Sequence, residues 1–401
     1  MPPTSATQTP APTRDLSRLV NRQVRSGSSS VIRDLLRLID RPGMLSMAGG
    51  LPAPELLPVG RLGQAVTEVL DDHGPRSLQY APTEGVPELR DWVGRRHGAP
   101  AANVIITTGS QQGLDLLARA LLSSADTVVV EAPGYLGAIQ AFRMTGAKLV
   151  AVPGDPDGLD TEQLAERLRG GLRPTVVYVV TNFQNPSGAT LSAPRRLQLA
   201  ELAEHYDFVI VEDDPYGELR FRGPVLPRLA ELTDHAVTLG TVSKILSPGL
   251  RIGWLVAPTW LVGPVVQLKQ IADLHTSPLN QLAAAAVLAD HGFMATHIAG
   301  LRLAYRSRAT ALVRSIRAVP GSPITIRDPD GGMFGWAHLA VGPSADRLLP
   351  LALEAGVAFV PGSAFAIAGG DHRHHLRLCF STLTEIDLAV AVDRLAGAMR
   401  S

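Results

Sequence analysis

Short, continuous apolar runs alternate with amphipathic stretches through the middle of this chain. The runs are rich in Val and Ile, as expected for strands buried on both faces of a sheet. The stretches between them, such as residues 113–122 and 194–203, repeat apolar positions at helical spacing. This alternation predicts an α/β fold with a mostly parallel seven-stranded sheet and helices on both faces. The predicted strands are residues 104–108, 127–131, 148–152, 175–180, 208–212, 237–240 and 252–256.

The pattern changes after residue 300, where longer helical stretches precede short strands. Helices are predicted at 300–319 and 344–355, and strands at 357–360 and 375–380. We therefore predict a smaller α+β domain, completed by N-terminal residues that fold back onto it. The predicted division is a disordered tail at 1–27, an N-terminal segment at 28–60 that packs on the active site and the small domain, a large domain at 61–299 that would bind the cofactor, and a small C-terminal domain at 300–401.

The composition of the chain argues against several classes of binding partner and site. The 401 residues carry 37 Lys plus Arg and 37 Asp plus Glu without a block of like charge, which argues against nucleic acid and an anionic membrane surface. No long apolar span or targeting segment stands out, and the tail is rich in Pro and Thr, so we expect a cytoplasmic protein. The lone Cys379 excludes an internal disulfide, and no metal site is expected.

Polar side chains follow the predicted strands. Ligands of parallel α/β sheets bind at the carboxyl ends of the strands, so we expect these residues to converge. They lie in the segments Gly109-Ser-Gln-Gln112, Pro133-Gly-Tyr135, Asn182-Phe-Gln-Asn-Pro-Ser-Gly188, Glu212-Asp-Asp-Pro-Tyr216 and Ser243-Lys244.

Each of these residues also has a simpler interpretation. Lys244 is either a desolvated amine suited to Schiff-base chemistry or an exposed loop lysine. Ser110 can bind an anion at a helix N-terminus or merely cap the helix, and Asn185 can be a ligand or a turn residue. Asp213 is harder to explain as a solvated acid, because it ends an apolar strand. Together with Tyr216, the set supplies what pyridoxal 5'-phosphate (PLP) requires: a phosphate cradle, a carboxylate for the ring nitrogen, donors for the ring oxygen and a lysine amine.

The chain resembles the fold-type I aminotransferases of the aspartate aminotransferase superfamily. It is most similar to the branch of 2-aminoadipate aminotransferase and kynurenine aminotransferase II. The resemblance extends from about residue 28 to the C-terminus, and the motifs occur in the family order. They are SSSVIRDLLRL, LSMAGGLPAPELLP, LQYAPTEGVPELR, TTGSQQGLDL, EAPGYLGAIQAFR, NFQNPSGATLS, VEDDPYGELRF, TVSKILSPGLRIGW, ADLHTSPLNQ, GGMFGW and LRLCFSTL.

The resemblance implies roles for these residues in binding the cofactor. Lys244 would form the Schiff base and move the substrate α-proton, and Asp213 would pair with the ring nitrogen. Tyr135 would stack on the ring, while Asn185 and Tyr216 would hydrogen-bond its oxygen. The phosphate would be bound by Ser110, Gln111, Thr241, Ser243 and Arg251, together with Tyr80 from the second subunit of a homodimer. Thr241 replaces a serine found in many relatives but retains the hydroxyl.

The resemblance also implies a substrate site. Arg377 would bind the α-carboxylate in the bidentate manner of a guanidinium. Arg33 would bind a side-chain carboxylate, or is simply a solvated helix residue. The N-terminal segment, including Gly50 and Leu51, would lie over the site, and Leu51, Tyr135 and Phe334 would make the pocket partly apolar. Asn185 would also face the substrate.

The implied reaction transfers an amino group between an α-amino acid and a 2-oxo acid, with 2-oxoglutarate or glutamate as one partner. The amino acid would be 2-aminoadipate, an aromatic amino acid, an arylglycine or a leucine-like one. A PLP-dependent lyase, racemase or decarboxylase would share the cofactor cradle. A ligand-sensing regulator would need a DNA-binding module before residue 30, and the Pro/Thr-rich tail does not resemble one.

Overall fold

A computed structural model describes residues 16–21, 24–25, 42–367 and 372–400. Its helices are α1 (Val59–His73), α2 (Pro87–His97), α3 (Ser110–Leu121), α4 (Leu136–Met144), α5 (Thr161–Arg169), α6 (Ala193–Tyr206), α7 (Thr259–Asp273), α8 (Pro278–Ala289), α9 (His291–Ala318), α10 (Ala345–Glu354) and α11 (Glu385–Ala398). The strands are β1 (Leu45–Ser46), β2 (Val104–Thr107), β3 (Thr127–Ala132), β4 (Lys148–Asp155), β5 (Gly158–Leu159), β6 (Val176–Val180), β7 (Val209–Asp213), β8 (Ala236–Thr241), β9 (Gly253–Val256), β10 (Ile324–Ile326), β11 (Phe334–Leu339), β12 (Val357–Ala358), β13 (Val360–Pro361) and β14 (His375–Cys379).

The central sheet has the order β2-β9-β8-β7-β6-β3-β4-β5. Strands β8, β7, β6, β3 and β4 are parallel, whereas β9 is antiparallel to both of its neighbours. The mostly parallel α/β sheet predicted from the apolar runs is thus confirmed. The sheet has eight strands rather than seven because the two-residue strand β5 pairs with the end of β4. Two residues are too few to form a recognisable apolar run.

Both faces of the sheet are buried because consecutive strand residues point to opposite sides. Val128 and Val130 belong to one apolar cluster, and Val129 between them belongs to another. Val177 and Val179 of β6 join Val129 in the second cluster. This arrangement explains why the strands read as continuous rather than alternating apolar runs.

The C-terminal part of the chain forms an antiparallel sheet in the order β10-β11-β14-β13. The strand predicted at 357–360 is in fact two: β12 pairs in parallel with β1, and β13 pairs with β14. The pairing of β1 with β12 brings the segment after residue 44 against this region, although the predicted domain boundaries remain predictions. Helix α9 begins nine residues before the predicted residue 300, at His291.

None of the helices in the described ranges is, by itself, long and apolar enough to cross a membrane. The pair α8 and α9, bent by 87°, meets the length and composition test only when the two helices are taken together.

Candidate active site

The carboxyl ends of the central strands open onto a cavity of about 280 Å³. Larger cavities, of about 410 to 500 Å³, exist elsewhere in the described part of the chain, but none of those found is lined by a lysine. The smaller cavity instead brings together most of the residues singled out from the sequence. Its lining includes Gly50, Ser110, Gln111, Tyr135, Asn185, Asp213, Tyr216, Thr241, Ser243, Lys244, Arg251, Phe334 and Arg377.

Lys244 lies three residues after β8, and its side chain points into this cavity. Its Nζ donates a hydrogen bond to the carbonyl oxygen of Gly50 at 2.9 Å. Burial lowers the pKa of Lys244 to about 8, and the positive charges of Arg377 and Arg251 act in the same direction. A substantial fraction of this amine is therefore neutral, and so nucleophilic, slightly above neutral pH.

Asp213 ends β7 and is 3% exposed. The hydroxyl of Tyr178 donates to its Oδ2 at 2.8 Å, while its buried Oδ1 has no hydrogen-bond partner. Burial raises the pKa of Asp213 to about 7, with the charge of Asp214 adding to the effect. A buried carboxylate oxygen without a partner is costly, and a protonated ring nitrogen would satisfy it.

The start of α3 forms an anion cradle. Gly109, with φ of +79°, turns the chain so that Ser110 becomes the first residue of the helix. A Cβ on Gly109 would come within 2.3 Å of Arg251 Nη2, so only glycine lets the guanidinium approach the turn. Arg251 itself has φ of +54° and donates to the Thr108 carbonyl oxygen at 3.3 Å. Backbone N–H groups at a helix N-terminus together with a guanidinium suit a phosphate.

Two hydroxyl groups, one from the last residue of β8 and one from two residues later, complete this cradle. Thr241 Oγ1 lies 2.8 Å from both Ser243 Oγ and the Ile252 carbonyl oxygen. The Ser243 N–H also donates to Thr241 Oγ1 at 3.1 Å. These contacts hold the two hydroxyls together at the wall of the cavity.

A second guanidinium, that of Arg377 in β14, lines the same cavity and is 1% exposed. Its Nη1 donates to Asn185 Oδ1 at 2.9 Å, and Nη2 donates to the Ala48 carbonyl oxygen. The guanidinium carbon lies 4.6 Å from the ring centroid of Phe334 and 5.1 Å from that of Phe365. Its buried Nε has no hydrogen-bond partner. The site thus presents a fixed, partly unsatisfied guanidinium to a carboxylate.

Two tyrosines line the same cavity and retain their protons. Burial raises the pKa of Tyr135 to about 12, and it raises the pKa of Tyr216 as well. The Tyr135 hydroxyl donates to Gln111 Oε1 at 3.3 Å, and Tyr216 packs edge-on against Phe334 at 5.8 Å. The Tyr216 phenol therefore keeps a proton to donate to a ligand, whereas the Tyr135 proton is directed to Gln111.

Two of the predicted site residues that the structure describes, Leu51 and Tyr80, are not among those that line the cavity. The Leu51 side chain is 53% exposed and the Leu51 carbonyl oxygen accepts a hydrogen bond from Ser381 Oγ, so the apolar wall expected of Leu51 stays a prediction. Tyr80 is 77% exposed and packs against His275 of its own chain. Arg33 lies outside the described residues.

Sequence reasoning missed two residues that shape the site, Tyr178 and Phe365. Tyr178 could have been suspected, because it is the one polar side chain within an otherwise all-valine strand. Phe365 follows β13 in a short helical turn, and nothing local indicates that its ring meets Arg377.

These features fit PLP. The unpartnered Asp213 Oδ1 suits the ring nitrogen, and the turn after Gly109, together with Arg251, suits the phosphate. Lys244 supplies the amine that the aldehyde requires.

Comparison with known proteins places the chain in a family. The family model for "Aminotransferase class I and II" matches residues 56–395. A 2-aminoadipate transaminase of Thermus thermophilus is 43% identical over 93% of this chain and 94% of its own length. Aromatic-amino-acid aminotransferase 1 of Thermococcus litoralis is 38% identical over 97% and 96%.

Solved structures agree with these relatives. An α-aminoadipate aminotransferase from Thermus thermophilus, complexed with N-(5'-phosphopyridoxyl)-L-leucine, matches with a TM-score of 0.89 and 40% identity over 96% of this chain and 98% of its own. A kynurenine aminotransferase from Pyrococcus horikoshii matches with a TM-score of 0.91 and 37% identity, with the same coverage. The chain belongs to the class I and II aminotransferases of PLP fold type I and is a PLP-dependent aminotransferase.

Proposed function

We propose that this enzyme transfers the amino group of an apolar, aromatic or 2-aminoadipate-like α-amino acid to 2-oxoglutarate. The observation that carries the proposal is the convergence of Lys244, Asp213 and Arg377 on one small cavity. A nucleophilic amine, a carboxylate for the ring nitrogen and a cation for the substrate are the three groups that this reaction needs.

PLP, when bound, supplies an aldehyde that takes up the amino group and a ring that accepts the electron pair released with the α-proton. We assign the phosphate to Ser110, Gln111, Thr241, Ser243 and Arg251. The remaining chemistry belongs to the chain. Asp213 would hold a proton on the ring nitrogen, and Asn185 and Tyr216 would donate toward the ring oxygen, while Tyr135 would lie against the ring face.

Arg377 would bind the substrate α-carboxylate through the edge that carries its unpartnered Nε. Lys244 would carry the substrate α-proton, because an amine with a pKa of about 8 can both accept and return a proton near neutral pH.

The substrate side chain would lie against Gly50, Val180 and Phe334. The cavity-lining cations in the described ranges are Lys244, Arg251 and Arg377, and each already has a role. The described walls therefore favour an apolar or aromatic side chain. This fits relatives named for aromatic amino acids and kynurenine, and one solved with a leucine adduct. Because one relative is named for 2-aminoadipate, the proposal also includes an acidic amino donor. Arg33 is the candidate partner for the side-chain carboxylate of that donor.

We further propose a homodimer in which Tyr80 reaches the partner's site. Support comes from an exposed apolar face formed by Leu78, Tyr80, Ile271 and Leu274, which are 69%, 77%, 72% and 50% exposed. The contact of Tyr80 with His275 joins the two segments of this face. The cytoplasmic location expected from the sequence stays a prediction.

The test is a screen of amino donors with 2-oxoglutarate as acceptor, in which glutamate and the new 2-oxo acid are both quantified. Transamination predicts equal amounts of the two products and highest kcat/KM for aromatic, leucine-like or 2-aminoadipate donors. Release of ammonia or carbon dioxide, or racemisation without formation of glutamate, would instead favour the lyase, decarboxylase or racemase alternative.

A further inference from the structure

An ion pair between a buried lysine and an aspartate whose side chain is 27% exposed lies directly behind the phosphate cradle. Lys269 of α7 is 0% exposed, and its Nζ lies 2.8 and 3.1 Å from the two carboxylate oxygens of Asp273, one helical turn later. Neither residue lines the cavity, so neither belongs to the site described above. The chain has only three lysines, Lys148, Lys244 and Lys269, against 34 arginines.

The surroundings of Lys269 match the chemistry of an ammonium group. Its three N–H bonds have three acceptor groups: the Asp273 carboxylate, Gln112 Oε1 at 3.1 Å and Thr276 Oγ1 at 3.1 Å. A planar guanidinium on a longer stem would not fit this compact arrangement, which gives a reason for lysine in a chain that otherwise uses arginine.

The same network holds both ends of the cradle turn. Thr108, just before Gly109, donates its hydroxyl to Asp273 Oδ2 at 2.9 Å. Gln112, just after Gln111, donates its amide to the same oxygen at 2.7 Å. Gln112 Oε1 also accepts from the Thr108 N–H at 2.7 Å, so the two ends are joined to each other as well. Ser110 and Gln111, which lie between these two ends, line the cavity.

The ion pair between Lys269 and Asp273 also affects how strongly the turn attracts an anion. The turn attracts an anion through the N-terminus of α3, and an uncompensated carboxylate at Asp273 would oppose that attraction. Burial alone would raise the pKa of Asp273, but hydrogen bonds from Lys269, Gln112 and Thr108 together lower it below its ordinary value. Asp273 is therefore ionised, and the ammonium of Lys269 is its only cationic contact among the residues described.

We propose that Lys269 is a positioning residue for binding of the cofactor phosphate: paired with Asp273, it fixes both ends of the turn Thr108–Gln112 and neutralises the carboxylate behind it. The proposal rests on the assignment of the phosphate to this turn, made under the proposed function.

The test compares PLP with pyridoxal, which lacks the phosphate. Dissociation constants of both are measured for the full-length, cofactor-free protein by titration of the absorbance of the bound form. In Lys269→Met we expect the dissociation constant of PLP to rise by about 10- to 100-fold, the range expected when a hydrogen-bonded charge loses its partner. The constant for pyridoxal should change by less than twofold, because the amine and ring contacts are kept.

Matched variants distinguish a selective effect on phosphate binding from a general effect on the protein. Lys148→Met, on an exposed lysine, should leave both constants unchanged. Gln112→Leu, at a half-buried position, should weaken PLP selectively but less than Lys269→Met, and it serves if the latter does not fold. Arg251→Met tests the underlying assignment, because it should also weaken PLP selectively.

The outcomes test the role of Lys269 and the assignment of the phosphate separately. Selective weakening of PLP in Lys269→Met, or in Gln112→Leu if the first variant does not fold, supports the proposal. Equal weakening of PLP and pyridoxal, or no weakening, overturns it when Arg251→Met remains selective. An Arg251→Met variant that affects both ligands equally instead overturns the assignment of the phosphate to this turn.

Discussion

At the scale of single residues, the site is defined by polar groups whose hydrogen bonding or pKa differs from that of the same groups in water. Asp213 is buried with one oxygen unpartnered, and Lys244 is an amine whose pKa burial lowers to about 8. Each of these environments costs stability in the empty chain and is relieved by a suitable ligand. Such groups are more diagnostic of function than the size of the cavity.

We expect the cofactor ring to accept electrons efficiently only when Asp213 is present as a carboxylate. Asp213→Asn keeps the acceptor for Tyr178 but removes the charge, so we expect single-turnover transfer from donor to cofactor to slow by at least about 100-fold, as when a preorganised electrostatic partner is lost. Stopped-flow absorbance of the bound cofactor measures this rate. Asp214→Asn, one residue on and outside the cavity lining, should stay within a few-fold of wild type. Similar rates in both variants would remove Asp213 from the mechanism.

Asp213 also predicts a pH dependence of stability for the cofactor-free chain. Burial raises its pKa to about 7, whereas in the unfolded chain this carboxyl has its ordinary pKa of 3.8. As pH rises between these values the unfolded state loses this proton first, so the free energy of unfolding falls. From pH 5 to pH 8 wild type should lose about 2 to 3 kcal/mol more than Asp213→Asn, measured by denaturant unfolding. Equal losses would contradict the raised pKa.

At the scale of elements, the segment after β1 forms one wall of the site through Gly50. Its carbonyl oxygen accepts from Lys244, and a Cβ on Gly50 would lie 2.9 Å from Phe334 Cζ. The segment is held by the β1–β12 pairing and by Cys379, whose N–H donates to the Met47 carbonyl oxygen at 2.8 Å. It therefore limits the space available to the substrate side chain.

Gly50→Ala should narrow this space. We expect kcat/KM for a bulky aromatic donor to fall by about tenfold or more, the size typical of one methyl group in a tight pocket, while alanine is affected less. Steady-state kinetics with phenylalanine and alanine provides the measurement. The control is Gly63→Ala in α1, where an added Cβ meets nothing within 4 Å. An unchanged ratio between the two donors would show that Gly50 does not limit the substrate pocket.

At the scale of the whole molecule, the sequence predicted the central sheet well because burial on both faces leaves a strong local signal. It missed β10 and β11, which are short or mix Gly, Trp and His with apolar residues. The strand-end motifs predicted which residues line the cavity. Contacts such as Tyr178 with Asp213, or Lys269 with Gln112, depend on the packing of elements far apart in sequence and leave no local pattern.

The proposed dimer predicts that two impaired variants restore activity when their subunits are mixed, which a site built within one subunit would not allow. Lys244→Ala and Tyr80→Ala should each impair activity as homodimers. If Tyr80 serves the partner's site, mixing the two variants under subunit exchange creates one native site per mixed dimer, or about a quarter of all sites at random association. Activity should therefore rise toward that fraction of wild type. If mixing restores no activity, Tyr80 does not act in the partner's site.

The central claim is that Lys244 is the residue that holds the cofactor. Borohydride converts a linkage between a lysine and an aldehyde into a stable secondary amine, and peptide mass mapping then identifies the modified lysine. With only Lys148, Lys244 and Lys269 in the chain, the assignment is unambiguous. We predict the cofactor-derived mass on Lys244 and on neither of the other two after reduction of the PLP-loaded enzyme. Stoichiometric labelling of Lys148 or Lys269, with Lys244 unmodified, would contradict this assignment.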